Sequence, residues 1–223
     1  MSKLSDTWVI IPIKGVGEPK RRLANVLNLQ QRIRLQLLMA QHVLSELYYV
    51  ENLDTVMVVS ENYEHKEQLC KRSEIFYHYN EETSIGINRV LTKAAQLAQK
   101  QGATTIAIIP ADLPLLCANE VDQFIHNHVI RCDRPRVTLV SNRDGTGTNC
   151  LAFSPPFNLP YVFGHNSFDH YSDLAQKAGI EFCSLDLPSL KFDVDEPNDL
   201  MFYFRSTGVD LKKEVFNNQL VME

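Results

Sequence analysis

The sequence lacks any apolar run approaching the ~20 residues that cross a bilayer as a helix. Its opening, Met1 to Trp8, is polar, and the apolar run Trp8–Ile13 is too short for the core of a secretion signal. Five cysteines (Cys70, Cys117, Cys132, Cys150 and Cys183) are widely spaced, without a C-x-x-C. That argues against a disulfide framework and against a structural zinc motif. No Gly/Ser linker, low-complexity tract or internal repeat interrupts the chain, so a single domain over residues 1–223 is expected. There is no G-x-S-x-G nucleophile motif, no Walker A loop and no G-x-G-x-x-G fingerprint. A basic excess is missing too, with 22 Lys and Arg against 27 Asp and Glu, a net charge of −5. A globally basic coat for nucleic acid or anionic lipid is thereby excluded. The expectation is a cytoplasmic protein with reduced thiols and neither a membrane nor a nucleic-acid partner. Its oligomeric state is open, a homodimer included.

What is present is enough apolar residue, 44% of the chain, to build a substantial core. Short β-branched runs at Trp8–Ile13, Thr55–Ser60, Ile75–Tyr79, Thr104–Ile109, Val137–Ser141, Asn149–Phe153 and Ile180–Leu185 read as strands. Between the first two, Ile33, Leu37, Ala40, Leu44 and Leu47 recur at helical spacing, with Asn28 and Gln31 forming a capping box before them. Further helices follow Gly86, follow Cys117, and begin around Ser167 to end at Gly179. The alternation predicts an α/β fold, a mostly parallel sheet with helices on both faces. Ligands in such sheets lie beyond the carboxyl ends of the strands.

Four segments in those places carry unusual chemistry. Lys14 to Arg22 holds four positive charges and one negative, a local +3 that leaves −8 for the rest of the chain. Its two glycines open the backbone to phosphate, although a solvated basic turn would look the same. Asp112, closing the strand that ends at Ile109, is placed either to hold Mg²⁺, which takes one or two protein carboxylates, or merely to start a turn before Pro114. Arg143 to Asn149 alternates Gly with Thr and suits an oxyanion, or is a hairpin turn on Asp144-Gly145. Asp193 and Asp195, two apart in an extended segment, share a side and can meet one cation, while Asp195 can also cap a helix starting at Pro197. His126 and His128 read as solvated helix surface, and Tyr48, Tyr49, Phe76, Tyr77 and Tyr79 as core. A basic loop, strand-end carboxylates and a Gly/Thr loop together suit phosphate transfer with Mg²⁺. No general base is evident. An acceptor that is itself a phosphate needs none, because it is already ionised near neutral pH.

In order along the chain, Ile11-Pro12-Ile13-Lys14, Lys20-x-Arg22-Leu23-Ala24, Ala111-Asp112-Leu113-Pro114-Leu115-Leu116, Asp144-Gly145-Thr146-Gly147-Thr148-Asn149, Phe163-Gly164 with Ser167-Phe168 and His170, and Asp193-Val194-Asp195-x-Pro197-x-Asp199-Leu200 resemble the CofC/FbiD guanylyltransferases of coenzyme F-420 biosynthesis. The resemblance runs from about Trp8 to Leu200. It implies a Rossmann-like nucleotidyltransferase of glycosyltransferase-A type, a three-layer sandwich around a mostly parallel mixed sheet. It implies GTP and a phosphorylated three-carbon acid as substrates and Mg²⁺ as cofactor. The acid would be phosphoenolpyruvate, 3-phosphoglycerate or 2-phospholactate, with a lean to the first two. By position it places Lys14, Gly15, Lys20 and Arg22 at the GTP phosphates, with Gly86 and Asn88 near the nucleoside. Asp112, Asp193 and Asp195 match the metal ligands, with Asp112 also catalytic beside Lys14, Lys20 and Arg22. Thr148, Gly164 and Ser167 match the positions holding the acid, Ser167 as expected N-cap of its helix. Glu18 and Arg21 depart from the family's pattern. The competing expectations are another nucleotidyltransferase, acting on a sugar or cofactor phosphate or using CTP, and a GTP-binding protein without catalysis.

Overall fold

A computed structural model describes residues 6–14, 18–70, 75–79, 86–130, 134–156, 159–207 and 215. Gly15 and Cys132 lie outside the described residues, as does most of the tail after Ser206. In chain order the elements are β1 (Thr7–Ile13), α1 (Leu29–Leu47), β2 (Thr55–Ser60), α2 (Glu64–Leu69), β3 (Ile75–Tyr79), α3 (Ile87–Lys100), β4 (Thr105–Ile108), α4 (Ala118–Val129), β5 (Arg136–Ser141), β6 (Thr148–Phe153), α5 (Ser167–Ala178), β7 (Glu181–Ser184), α6 (Pro188–Lys191) and α7 (Pro197–Thr207). The strands form one sheet of order β3-β2-β1-β4-β6-β5-β7. It is mostly parallel, with β6 antiparallel to both β4 and β5.

Alternation along β1 explains the layering. Val9, Ile11 and Ile13 face a cluster completed by Ala40, Val43 and Leu44 of α1 and Val121 and Phe124 of α4. Trp8 and Ile10 point the other way, into a cluster with Leu91, Ala94 and Ala98 of α3 and Tyr171 and Ala175 of α5. Each face of β1 is covered, so from Trp8 to Ile13 its residues are apolar without a break. A third cluster joins Leu35 and Met39 of α1 to Phe192, Val194 and Leu200. Strand β1 lies between β2 and β4, both parallel to it. The chain therefore leaves β1 in one direction and returns on its other side. The crevice at that reversal, outside the ends of β1 and β4, is where this kind of sheet accepts ligands.

The capping box before α1 is present: the Asn28 side chain accepts the Gln31 N–H at 3.0 Å, and Gln31 accepts the Asn28 N–H at 2.9 Å. Other expectations are corrected. The α1 stripe is wider than the Ile33–Leu47 face, because the helix also packs on α7, and Arg32, Leu35 and Met39 are buried there. The helix at Pro197 is not capped by Asp195. Asp199, in its first turn, accepts the N–H groups of Asp195 and Glu196 at 3.2 and 2.8 Å. Tyr48, Tyr49 and Phe76 are exposed rather than core, since they sit at a helix end and on the sheet's edge. Helix α2 had no sequence signal: it has six residues, of which only His65 and Leu69 are buried.

His128 is buried, not solvated, with Nδ1 3.0 Å from the Thr138 hydroxyl and Nε2 3.3 Å from that of Ser154. His126, on the same helix, is exposed. Burial, and then the Arg136 charge, push the His128 imidazole down to about 4. The unfolded chain thus takes up this proton before the folded one does. The stability that neutral His128 contributes is complete above pH 6.5 and is lost as pH falls toward 4. Over that interval urea unfolding of the wild type should lose about 3 kcal/mol more than unfolding of His128→Gln. Equal pH slopes for the two proteins would show that His128 does not titrate this way.

Candidate active site

At the carboxyl ends of β1 and β4 lies a cavity of 590 Å³, lined by Lys14, Glu18 to Arg22, Pro110 to Asp112, Thr148, Asn149, Asp193 and Asp195 among others. The basic loop enters it under control from α1. Gln36 Nε2 donates to the Lys14 carbonyl at 2.8 Å, and Arg32 Nη1 donates to the Pro19 carbonyl at 2.9 Å. The two side chains stand one turn apart, so a single helix face reaches both ends of the loop. Lys20 then adopts the left-handed region, φ 49° and ψ 48°, and its carbonyl receives the Leu23 N–H to begin a 3-10 turn over Arg21–Leu23. Leu23 is fully buried and anchors that turn in the third cluster.

This geometry turns Lys20 inward. Its Nζ lies 2.5 Å from Asp112 Oδ2 and 2.9 Å from Asp195 Oδ1, with only 8% of the side chain exposed. Burial alone would pull the ammonium's pKa down, but Asp112 and then Asp195 more than offset it and hold it above the ordinary lysine value. Asp193 lines the same cavity. Burial first, then the Asp112 and Asp195 carboxylates, push its carboxyl up to about 6. Arg22 lies on the rim, 3.6 Å from Glu196 and 3.9 Å from Asp195 and mostly exposed, where ion pairs contribute little to stability. Arg21 pairs with Glu18 at 3.6 Å. The two departures from the family's pattern thus neutralise each other locally.

Opposite the basic loop stands the hairpin joining β5 to β6. Asn142 closes it by accepting the N–H groups of Thr146 and Gly147 at 3.1 and 2.9 Å, so the turn reading of this segment holds. Thr148 lines the cavity. Its N–H is spent on Ser167 Oγ at 2.8 Å, while its own hydroxyl is buried with no hydrogen-bond partner among the described residues. Ser167 itself is fully buried and is the first residue of α5. The N-cap is Asn166, in the left-handed region and without a side-chain cap, which corrects the expected cap at Ser167. Gly164, at φ 132°, accepts the Ser167 N–H. Neither Gly164 nor Ser167 lines the cavity.

Gly86, at φ 81°, is the N-cap of α3. Asn88 is turned to the Phe163 backbone, accepting its N–H at 3.0 Å and donating to its carbonyl at 3.4 Å. Ile87 and Phe163 line the cavity, and Gly86 and Asn88 do not. Asn88 therefore ties the α3 wall to the 161–164 segment.

Among the described residues, no three His, Cys, Asp or Glu side chains are arranged to hold a metal between them. Asp112 and Asp195 nevertheless converge on one positive charge, the Lys20 ammonium, with Asp193 beside them. Two convergent carboxylates fit Mg²⁺, which takes most of its remaining ligands from water and phosphate. Sequence reasoning missed Arg32, Gln36 and the Arg143–Asp199 pair. Arg32 alone left a trace, a charge at a stripe position shared with Leu35 and Met39.

An open sheet with its reversal beside β1, a basic loop on that strand and carboxylates beyond β4 define a nucleotidyltransferase. Solved structures carry the same fold. A Desulfovibrio desulfuricans G20 protein, described as a candidate nucleotide-diphospho-sugar transferase, superimposes with a TM-score of 0.73 at 15% identity over 95% of this chain and 93% of its own. A CMP:2-keto-3-deoxy-manno-octonic acid synthetase complexed with CTP gives 0.61 at 13% identity over 93% of this chain and 100% of its own. The family is narrower. Residues 7–217 match the family described as "Guanylyl transferase CofC like", and the chain belongs to it. Among its relatives is a phosphoenolpyruvate guanylyltransferase of Sphaerobacter thermophilus, 31% identical over 87% of this chain and 90% of that protein.

Asp199 links the two sides of the cavity. Besides its two backbone bonds it accepts from Arg143 of the hairpin at 2.7 Å, and the Arg143 guanidinium lies 5.4 Å from the centroid of the Phe192 ring. Asp199→Ala should therefore lose about 2 kcal/mol in chemical denaturation. Arg143→Ala should cost less in the Asp199→Ala background than in the wild type. Additive losses would show that the pair is not coupled.

Proposed function

We propose that this protein transfers GMP from GTP to the phosphate of a phosphorylated three-carbon acid, releasing pyrophosphate. The observation that carries the reading is the Lys20 ammonium held between Asp112 and Asp195, where the basic loop and the strand-end carboxylates share one cavity. Lys14, Lys20 and Arg22 would meet the GTP phosphates, and Asp112, Asp193 and Asp195 would hold Mg²⁺. That cation supplies charge neutralisation on the phosphates when bound. Entry of nucleotide gives Lys20 a phosphate partner in place of its carboxylates, and frees those carboxylates for the cation. Thr148, whose buried hydroxyl lacks a partner among the described residues, would support an oxyanion of the acid on the opposite wall, with Ser167 and Gly164 behind it. Gly86 and Asn88 would set the wall beside the nucleoside through Phe163.

No side chain need remove a proton, because the attacking phosphate oxygen is already ionised. The protein's task is alignment of that oxygen with the α-phosphorus, and neutralisation of charge on the leaving pyrophosphate. The choice of phosphoenolpyruvate, 3-phosphoglycerate or 2-phospholactate rests on differences of a few atoms, with phosphoenolpyruvate favoured by the name of the Sphaerobacter relative. The same reading places the protein in coenzyme F-420 biosynthesis and in the cytoplasm. No described helix is long and apolar enough to cross a membrane.

Pyrophosphate release should require GTP, Mg²⁺ and one of the three acids together, and should fall away with CTP, UTP or ATP. Release with none of the acids would remove the reading. Asp112→Asn should lower turnover by about 100-fold or more while thermal unfolding changes little, since Asp195 still holds Lys20. Wild-type turnover in that variant would exclude Asp112 from the site.

A further inference from the structure

We infer that Arg32 is a positioning residue for nucleotide transfer: it fixes the peptide preceding Lys20 and thereby aims the Lys20 ammonium into the cavity. The inference rests on the proposal that Lys20 meets the nucleotide phosphates.

As a source of stability, Arg32 is poorly placed. It is 4% exposed, yet among the described residues its Nη1 has one close partner, the Pro19 carbonyl at 2.9 Å. The carboxylate paired with it, Glu18, is 3.8 Å away and more than half exposed. Its Nε is buried with no hydrogen-bond partner among the described residues. A guanidinium desolvated for so little return is the kind of buried charge that an apolar side chain of similar length replaces without loss. Leu35 and Met39, the next residues on the same stripe, show that the surroundings accept such a side chain.

What the guanidinium does provide is a fixed point for the Pro19–Lys20 peptide. Lys20 is one of two non-glycine residues at positive φ among those described. Ordinary residues persist in that region when their surroundings impose it, and such residues collect at functional sites. Holding the Pro19 carbonyl from one side, with Leu23 N–H holding the Lys20 carbonyl at 2.9 Å from the other, fixes both peptide planes that flank Lys20. The side chain then projects toward Asp112 and Asp195 rather than toward solvent. Gln36 does the same for the Lys14 carbonyl, but it also lines the cavity and can touch a ligand directly. Arg32 does not line the cavity, and its influence passes through Lys20.

Steady-state kinetics of Arg32→Met, Arg32→Lys, Lys20→Met and the double variant Arg32→Met/Lys20→Met, each with thermal unfolding, test this. Arg32→Met should lower kcat/KM for GTP by about 10- to 100-fold. Its KM for the acid should stay unchanged and its melting temperature should be equal to or above wild type. Arg32→Lys, which keeps a donor, should fall between. In the Lys20→Met background, Arg32→Met should add almost nothing. The inference is overturned if folded Arg32→Met has wild-type kcat/KM for GTP, or if its loss appears undiminished without Lys20. It is equally overturned if the substitution lowers only the melting temperature. Should Arg32→Met not fold, the cycle of Arg32→Lys with Lys20→Met applies the same criteria. If Lys20→Met alone leaves GTP kinetics untouched, the phosphate reading itself fails, and the inference with it.

Discussion

Lys20 Nζ lies 2.5 Å from Asp112 and 2.9 Å from Asp195, residues 92 and 175 positions further along the chain. The three segments that carry these groups also meet through the Val194 N–H on the Asp112 carbonyl at 3.3 Å and through Leu23, Phe192 and Val194 in one apolar cluster, but two acidic segments repel each other. One buried ammonium offsets that repulsion and lets the end of β4 and the segment before α7 share a crevice with the basic loop. The arrangement is electrostatically tight but chemically exchangeable. Any dication entering the crevice competes with the ammonium for the same carboxylates, and any polyphosphate competes with the carboxylates for the ammonium. On the proposed function, metal and nucleotide together would satisfy every partner at once, whereas either alone would leave like charges facing.

The packing around this point is organised to keep the ammonium there. Helix α1 covers the sheet with Ala40, Val43 and Leu44, and one turn nearer its start it covers the α7 cluster with Leu35 and Met39. Its first turns thus stand between the core and the loop, and side chains at 32 and 36 reach the loop's backbone as a consequence of the helix's rotation. On the other wall Asp199 fixes the backbone of Asp195 through two N–H groups and is itself held by Arg143. Both the ammonium and one of its carboxylates are therefore supported from behind by an arginine.

Much of this was legible in the sequence, and the reasons differ by residue. The strands Thr55–Ser60 and Ile75–Tyr79 agree to the residue with expectation, because β-branched and aromatic runs bounded by polar residues leave little freedom. Lys20 and Asp112 stood out because their segments follow apolar strands at the carboxyl ends, where this kind of sheet accepts ligands. Arg32 and His128 did not, because hydrophobic periodicity treats every polar residue as solvent-facing. Whether a buried polar side chain finds a carbonyl or a hydroxyl depends on tertiary neighbours far away in sequence, Thr138 and Ser154 for His128. The cap at Asn166 rather than Ser167 escaped for a similar reason. A serine before a helix is a good cap only while its hydroxyl is free, and here it receives the Thr148 N–H.

The reversed direction of β6 has a consequence for how the site can diverge. Because β6 runs against β4, its first residue, Thr148, lies at the edge of the sheet where β1 and β4 end. A parallel strand in that slot would have delivered its last residue and a crossover helix instead. An antiparallel one delivers a six-residue turn from 142 to 147, the shortest kind of connection to lengthen or re-sequence. The wall opposite the basic loop can consequently be rebuilt by insertion or exchange within a hairpin, while the strands and α1 that fix Lys20 are left as they are. One side of the crevice is tied to the core, and the other, apart from Arg143 and its hold on Asp199, is open to exchange.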